Sequence, residues 1–425
     1  MTAEVIVMNR QGVALAADSA VTLGGGTKVL NTANKVFMIS PNYSIGILIY
    51  NNANLMDIPW EIIIKDFRDY CCKESINFKT LEKCSENFID FLKKSKDKYA
   101  LKEQCERFFL SYSSFILDQI TREIWENFYE DFYEDSLITS DGVKRIVKNK
   151  IDDYYNYLNE RFKDIFDQEK TKTIRTKITS VYQEEIKQLI KKYFDCLPRT
   201  KRQTQKLEEI CGLIFTKREF LTFYTGFVVA GFGDSELFPS FTEFHILGYL
   251  CGELLYYSKK SRKIGFNYNY ATNETKAEIV PFATKDTVEN LLYGSHPNFD
   301  RAIRNELEKH LDRKKIDDIL FETNKMIFKD ITVPIIDTID KLTKDQLANV
   351  ARTFVNLTSF MKQVTMELET VGGPIDVAVI SKKDGFIWID RKHYFDIEKN
   401  LHFKRKNIEQ SVYNVDGKPE ENGDG

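Results

Sequence analysis

Apolar residues follow two rhythms along this chain, and the change of rhythm divides it. Over the first fifty residues they come in short, nearly unbroken runs. Ala3 to Met8 is one such run, Arg10-Gln11-Gly12 marks a turn, and Val13-Ala14-Leu15-Ala16-Ala17 is a second run, small enough to be buried on both faces. Gly24-Gly25-Gly26 breaks the pattern. Lys35 to Ile39 and Ser44 to Tyr50 then read as two further strands joined through a Pro41-Asn42 turn.

From about Asp57 to Glu219 the apolar residues recur at three-to-four spacing, as in Ile62-Ile63-Ile64, Phe67 and Tyr70, or Phe88-Ile89 and Phe91-Leu92. That spacing predicts long amphipathic helices, whose aromatics serve as packing core. Strand pattern returns over Phe223–Gly233 and Phe241–Leu247. Helical pattern resumes near Thr284 and again over Ile331–Glu369. Ile375–Ile380, a Lys383-Asp384-Gly385 turn and Phe386–Ile389 predict a closing hairpin. The expectation is an α+β layered fold: residues 1–56 and 221–395 form the core, 57–220 a helical insertion, and 396–425 a polar tail disordered at its end.

The chain has 425 residues, 42% of them hydrophobic and 29% charged, with a formal net charge of -3. A balance so near zero argues against a general nucleic-acid binder. No apolar run reaches the ~18 residues that a membrane-spanning helix needs, and the amino terminus has no basic segment followed by an apolar one. Seven scattered cysteines read as reduced thiols, and the five histidines show no ligand pairing at helical spacing. A cytoplasmic protein with no metal and no organic cofactor is expected.

The candidate chemistry lies at the start of the chain. A threonine hydroxyl needs a base beside it. A chain-terminal threonine carries its own, the free α-amine, with a reference pKa of about 7.7–8.0. A nearby lysine disfavours protonation of that amine, and a carboxylate holds the lysine. Thr2, Asp18 and Lys35 supply these residue types, Thr2 becoming terminal once Met1 is removed.

Gly12-Val13-Ala14-Leu15-Ala16-Ala17-Asp18-Ser19-Ala20-Val21-Thr22 resembles the proteasome β-subunit signature G-V-x-(L/V)-A-x-D-S-x-x-T, and Asn34-Lys35-Val36-Phe37-Met38-Ile39 resembles the strand bearing that family's lysine. Further matches are Phe227–Asp234 and Thr370–Ile380. The resemblance implies an N-terminal-nucleophile (Ntn) hydrolase with a four-layer αββα sandwich. It implies Thr2 as nucleophile and amine base, Lys35 as the group tuning that amine, Asp18 as its orienter, and Thr22 as a contact to the substrate backbone. The family's Gly-Gly oxyanion turn falls where this chain has Tyr50-Asn51 or Asn51-Asn52. A backbone amide can still donate there, because the donor is main chain, and asparagine tolerates positive φ. The family's buttressing serine and second aspartate fall in Pro281–Thr284 and Met366–Glu369, without a clean match for the aspartate.

By the same resemblance the chain is a threonine-type peptidase acting on polypeptide. It forms a homo-oligomer, fed where needed by a separate ATPase unfoldase, because the sequence has no nucleotide-binding motif of its own. The alternatives are an amidase for small-molecule amides and an inactive ring subunit.

Overall fold

The amino-terminal apolar runs form a hairpin, β1 (Ala3–Asn9) with β2 (Gly12–Ala17), in which Glu4 lies opposite Ala17 and Asn9 opposite Gly12. The computed structural model describes residues 3–23, 28–134, 139–266, 273–294, 297–365, 371–393, 395–396 and 398–400. The Gly24–Gly26 break, the Met366–Glu369 stretch, Thr2 and the end of the tail lie outside them.

Short strands β3 (Val21–Leu23) and β4 (Lys28–Leu30) pair with each other, followed by β5 (Val36–Met38) and β6 (Ile45–Asn51). A small pair, β7 (Asn54–Leu55) and β8 (Ile58–Pro59), leads into eight helices: α1 (Trp60–Lys73), α2 (Leu81–Lys94), α3 (Lys96–Tyr99), α4 (Lys102–Glu134), α5 (Ser140–Arg161), α6 (Gln168–Val181), α7 (Gln183–Phe194) and α8 (Lys201–Leu213). Then come β9 (Thr225–Gly231), β10 (Ser240–Leu250), β11 (Glu253–Ile264), β12 (Glu274–Thr275) and β13 (Glu278–Ala283). Helices α9 (Asp286–Tyr293), α10 (Pro297–Leu307), α11 (Arg313–Ile327), α12 (Val333–Ile339) and α13 (Lys344–Val364) precede the closing hairpin of β14 (Asp376–Ser381) and β15 (Gly385–Asp390).

Two sheets result. One has the order β13-β1-β2-β14-β15 and is antiparallel throughout. The other has the order β12-β11-β10-β9-β6-β5, antiparallel except for the short β11–β12 pair. Every residue of β1 and β2 is buried, because both faces of their sheet are covered. Val5, Val7, Ala14 and Ala16 pack under Leu347, Ala351, Phe354 and Val355 of α13. Ile6, Met8, Val13 and Leu15 face Leu48, Val228, Ala230 and Phe241 of the second sheet. Gly46 of β6 lies hard against the first sheet: a Cβ there would lie 2.8 Å from Phe386 and 3.0 Å from Leu15.

The helical stretch is not uniform in its packing. Trp60, Ile63 and Phe67 of α1 and Phe88 and Ile89 of α2 cover the outer face of the second sheet, with Phe88 stacked on Phe227 at 4.2 Å. Helices α4 to α8 bury a cluster of their own, including Phe109, Ile120, Ile151, Ile178, Phe194 and Leu207, which reaches the sheet through Leu247, Leu250 and Leu255. Helix α8 starts in a capping box in which Thr200 and Gln203 satisfy each other's backbone amides, and α13 starts likewise with Thr343 and Gln346. No helix among the described residues is long and apolar enough to cross a membrane.

Candidate active site

Asp18 is the first residue after β2, and the hairpin folds it back onto the start of β1. Its amide donates to the Ala3 carbonyl at 3.1 Å, and the Ala3 amide donates to its Oδ1 at 3.1 Å. The Oδ2 atom accepts from the amides of Gly372 at 2.9 Å and Ala20 at 3.3 Å. Lys35, just before β5, reaches in from the other sheet and places Nζ 2.6 Å from Oδ1. Asp18 is 1% exposed and Lys35 4%. A buried carboxylate with three amide donors and one ammonium is an oriented ion pair, and it links the two sheets.

A second carboxylate stands near the same ammonium. Glu4 Oε1 is 3.9 Å from Lys35 Nζ, and Glu4 is fully buried. By alternation it shares the inter-sheet face of β1 with Ile6 and Met8. The backbone around the pair is tied down by further bonds: the Ser19 amide donates to the Gly372 carbonyl at 3.2 Å, and the Ala33 amide to the Ser19 carbonyl at 3.1 Å. Gly373 has φ +78° and lies so close to Asn31 that a Cβ would come within 2.7 Å of it, which suits only glycine.

The end of β6 borders this group. The Ile49 amide donates to the Lys35 carbonyl at 2.9 Å. Strand alternation sends the Asn51 amide to that same edge. Asn51 has φ +69°, and its side-chain amide donates to the carbonyls of Thr222 at 2.9 Å and Tyr224 at 2.8 Å. The Asn52 amide donates to the Tyr50 carbonyl at 3.0 Å. Tyr50 turns its ring inward between the sheets, whereas Asn51 is exposed. Thr22 lies on β3 opposite Val29, and its side chain is outside the described set, as is Thr2 altogether. The structure therefore brings Asp18, Lys35, Tyr50 and Asn51 to one end of the two sheets.

Sequence reasoning missed the polar cluster that Tyr50 enters. The Tyr50 hydroxyl donates to Glu243 Oε1 and lies 3.1 Å from His245 Nε2. His245 Nε2 is 3.2 Å from the same Glu243 oxygen, and its Nδ1 is 2.9 Å from the Tyr257 hydroxyl, which accepts from the Glu219 amide at 3.1 Å. Tyr224 stacks flat on the imidazole, with ring centroids 3.8 Å apart. Burial pulls the His245 pKa below its ordinary value, over the opposing pull of Glu243. Burial pushes the Glu243 carboxyl up, but hydrogen bonds from His245 and Tyr50 and the charge of Lys285 outweigh it and hold it below the usual range. Burial and then Glu243 push the Tyr50 phenol well above its ordinary value. The available signal was a Glu and a His two apart on an otherwise apolar strand, Phe241-Thr242-Glu243-Phe244-His245, which strand spacing places on one face.

Among the described residues no group of three or more His, Cys, Asp or Glu could hold a metal. No family model matches the sequence, and no curated protein matches it. Among solved structures the chain is similar to an Anbu mutant from Hyphomicrobium sp. strain MC1, with 9% identity and a TM-score of 0.28 over 99% of this chain and 100% of that one. It is likewise similar to Anbu, described as an ancestral beta-subunit, from Yersinia bercovieri, with 9% identity and a TM-score of 0.27 over 98% of this chain and 99% of that one. A likeness at such scores carries no argument about function.

Proposed function

We propose that this chain is an N-terminal threonine hydrolase that cleaves peptide amide bonds, with Thr2 as nucleophile after removal of Met1. The observation that carries the reading is the buried Lys35–Asp18 pair at 2.6 Å, hydrogen-bonded through Asp18 to Ala3, the residue that follows Thr2. A cation fixed at that spot disfavours a proton on the adjacent amine, so the amine can act as base.

In the first step Thr2 Oγ attacks the scissile carbonyl carbon while its proton passes to the α-amine. Backbone amides at the end of β6 receive the oxyanion, with Asn51 as the donor on the Lys35 side. The C–N bond then breaks and the ammonium returns its proton to the leaving amine, leaving an ester on Thr2. Water, deprotonated by the same amine, hydrolyses the ester and restores the hydroxyl. Thr22 holds the substrate backbone. No metal or organic cofactor enters this scheme. Thr284 follows Ala283, the residue paired with Ala3, and its hydroxyl is buried without a partner among the described residues. Thr284 is the residue we assign to buttress the terminal amine.

The same reading covers architecture. Packing of α13 on one sheet and of α1 and α2 on the other supports a four-layer αββα sandwich whose core is 1–56 and 221–395 together with α1 and α2, so that the insertion is narrower than 57–220. It extends to a homo-oligomer and to delivery of polypeptide by a separate ATPase. The test is mass spectrometry of the purified protein for loss of Met1, then for a covalent adduct with a peptide epoxyketone. The expected result is one adduct, on Thr2, absent in Thr2→Ala. Persistence of Met1, or equal labelling of the variant, rejects the reading.

A further inference from the structure

The polar cluster around Tyr50 has no part in the nucleophile chemistry, yet it grips the strand end that carries the oxyanion donor. Tyr50 is the last inward-facing residue of β6, and its ring lies across Gly226 of β9. A Cβ on Gly226 would come within 2.0 Å of the Tyr50 ring, so glycine is what lets the ring lie flat towards β10. There its hydroxyl meets Glu243 and His245.

One assignment of protons satisfies the whole chain of contacts. The Glu219 amide donates to the Tyr257 oxygen, the Tyr257 hydroxyl donates to His245 Nδ1, His245 Nε2–H donates to Glu243, and the Tyr50 hydroxyl donates to the same carboxylate. It requires a neutral imidazole and an ionised carboxylate, in keeping with the direction of both shifts. On the outer side of the same turn, Asn51 bonds the carbonyls of Thr222 and Tyr224, and Tyr224 is the ring stacked on His245. Consecutive residues are thus anchored on opposite sides to one body of structure.

We propose that Tyr50, Glu243 and His245 are positioning residues, clamping the Tyr50–Asn52 turn so that the Asn51 amide is held beside Lys35, where an oxyanion forms. This deepens the hydrolase reading above and rests on it. An oxyanion donor works only if it is already aimed, since reorganisation at the moment of reaction forfeits its advantage. A turn in the left-handed region at an exposed strand end would not be rigid by itself.

The test uses the full chain carrying Tyr50→Phe, which keeps the ring over Gly226 and removes only the hydroxyl. Amide hydrogen exchange in the peptide covering 50–55 is expected to quicken about 10-fold or more in Tyr50→Phe and in Glu243→Ala. It returns towards the wild-type rate in Glu243→Gln, whose side-chain oxygen still accepts the hydroxyl. Peptide hydrolysis by Tyr50→Phe should lose on the order of 10- to 100-fold in kcat with KM changed less than about twofold, because the donor acts on the transition state. Unchanged exchange in both variants overturns the clamp. Faster exchange with unchanged kcat overturns its catalytic role. A wild type that takes no epoxyketone and cleaves nothing sinks the hydrolase reading instead, and the exchange rates then decide the clamp alone.

Discussion

The space between the two sheets has two ends of opposite character, and one strand runs through both. At one end β1 contributes Ile6 and Met8 to an apolar layer with Val13, Leu15, Leu48 and Val228. Two residues earlier, on the same face, it contributes Glu4, in a neighbourhood of Lys35, Asp18, Tyr50, Glu243 and His245. Both ends are equally buried. The first gains free energy from every apolar group removed from water. The second must offset the desolvation of several charges by hydrogen bonds, so its net contribution to stability is small. The comparison separates the part of the core that holds the fold from the part that the fold holds.

The contrast can be broken hardest at Lys35. Lys35→Met should lower hydrolysis about 10³-fold or more, and it should also cost a few kcal/mol of stability, since Asp18 keeps its amide donors but loses its cation. Activity with a chromogenic peptide and urea denaturation check the two effects. Leu15→Ala, at the apolar end, should cost about 2–5 kcal/mol by denaturation while leaving kcat per folded molecule unchanged. A kcat loss comparable to that of Lys35→Met would show the two ends to be one unit.

Gly226→Ala sharpens the boundary between them. The added methyl collides with the Tyr50 ring and should cost about 1–3 kcal/mol in a melt, with hydrolysis falling alongside. Acid gives a gentler probe. His245 binds its proton more weakly folded than unfolded, so stability should start to fall as pH drops below about 6.5. The Glu243 pKa is depressed by folding, so its contribution is lost lower still, as pH falls below 4.5 through the folded value. Both terms have the same sign. The groups facing His245 include Glu243, Tyr50, Tyr224, Tyr257, Lys259 and Lys285. Melts from pH 8 to pH 5 should flatten in His245→Gln. The smallest effect is expected on the surface: Glu86→Gln, which breaks the exposed Lys83 pair, should leave the midpoint of urea denaturation almost unchanged.

Much of the strand framework was legible because burial on both faces leaves a mark that needs no partner. Continuous runs such as Val13–Ala17 and Phe227–Ala230 can be read without knowing what covers them. The same holds for the closing hairpin at Lys383-Asp384-Gly385. β11 escaped notice because its outer half, Ser258-Lys259-Lys260-Ser261-Arg262, is polar, as befits a strand with little covering its edge. β13 was hidden in a mixed stretch whose burial depends on β1, some 270 residues away. In the site, Asp18 and Lys35 stood out through their spacing from the chain start. Glu4, Glu243 and His245 did not, since their meaning comes from a neighbouring sheet and not from adjacent positions in sequence.

The place of the first hairpin has a consequence for how the protein is made. β1 and β2 are made well before the strands that flank them, β13 and β14, which come after residue 277 and residue 375. At ~5–20 residues per second, β1 waits roughly 15–50 seconds for its outer neighbour. Meanwhile α4 to α8 can assemble on their own cluster. The nascent chain therefore displays a largely apolar hairpin with both outer edges unpaired ahead of the helical body, the form of intermediate on which a holding chaperone acts. Slowing synthesis should therefore lengthen the time this hairpin stands exposed.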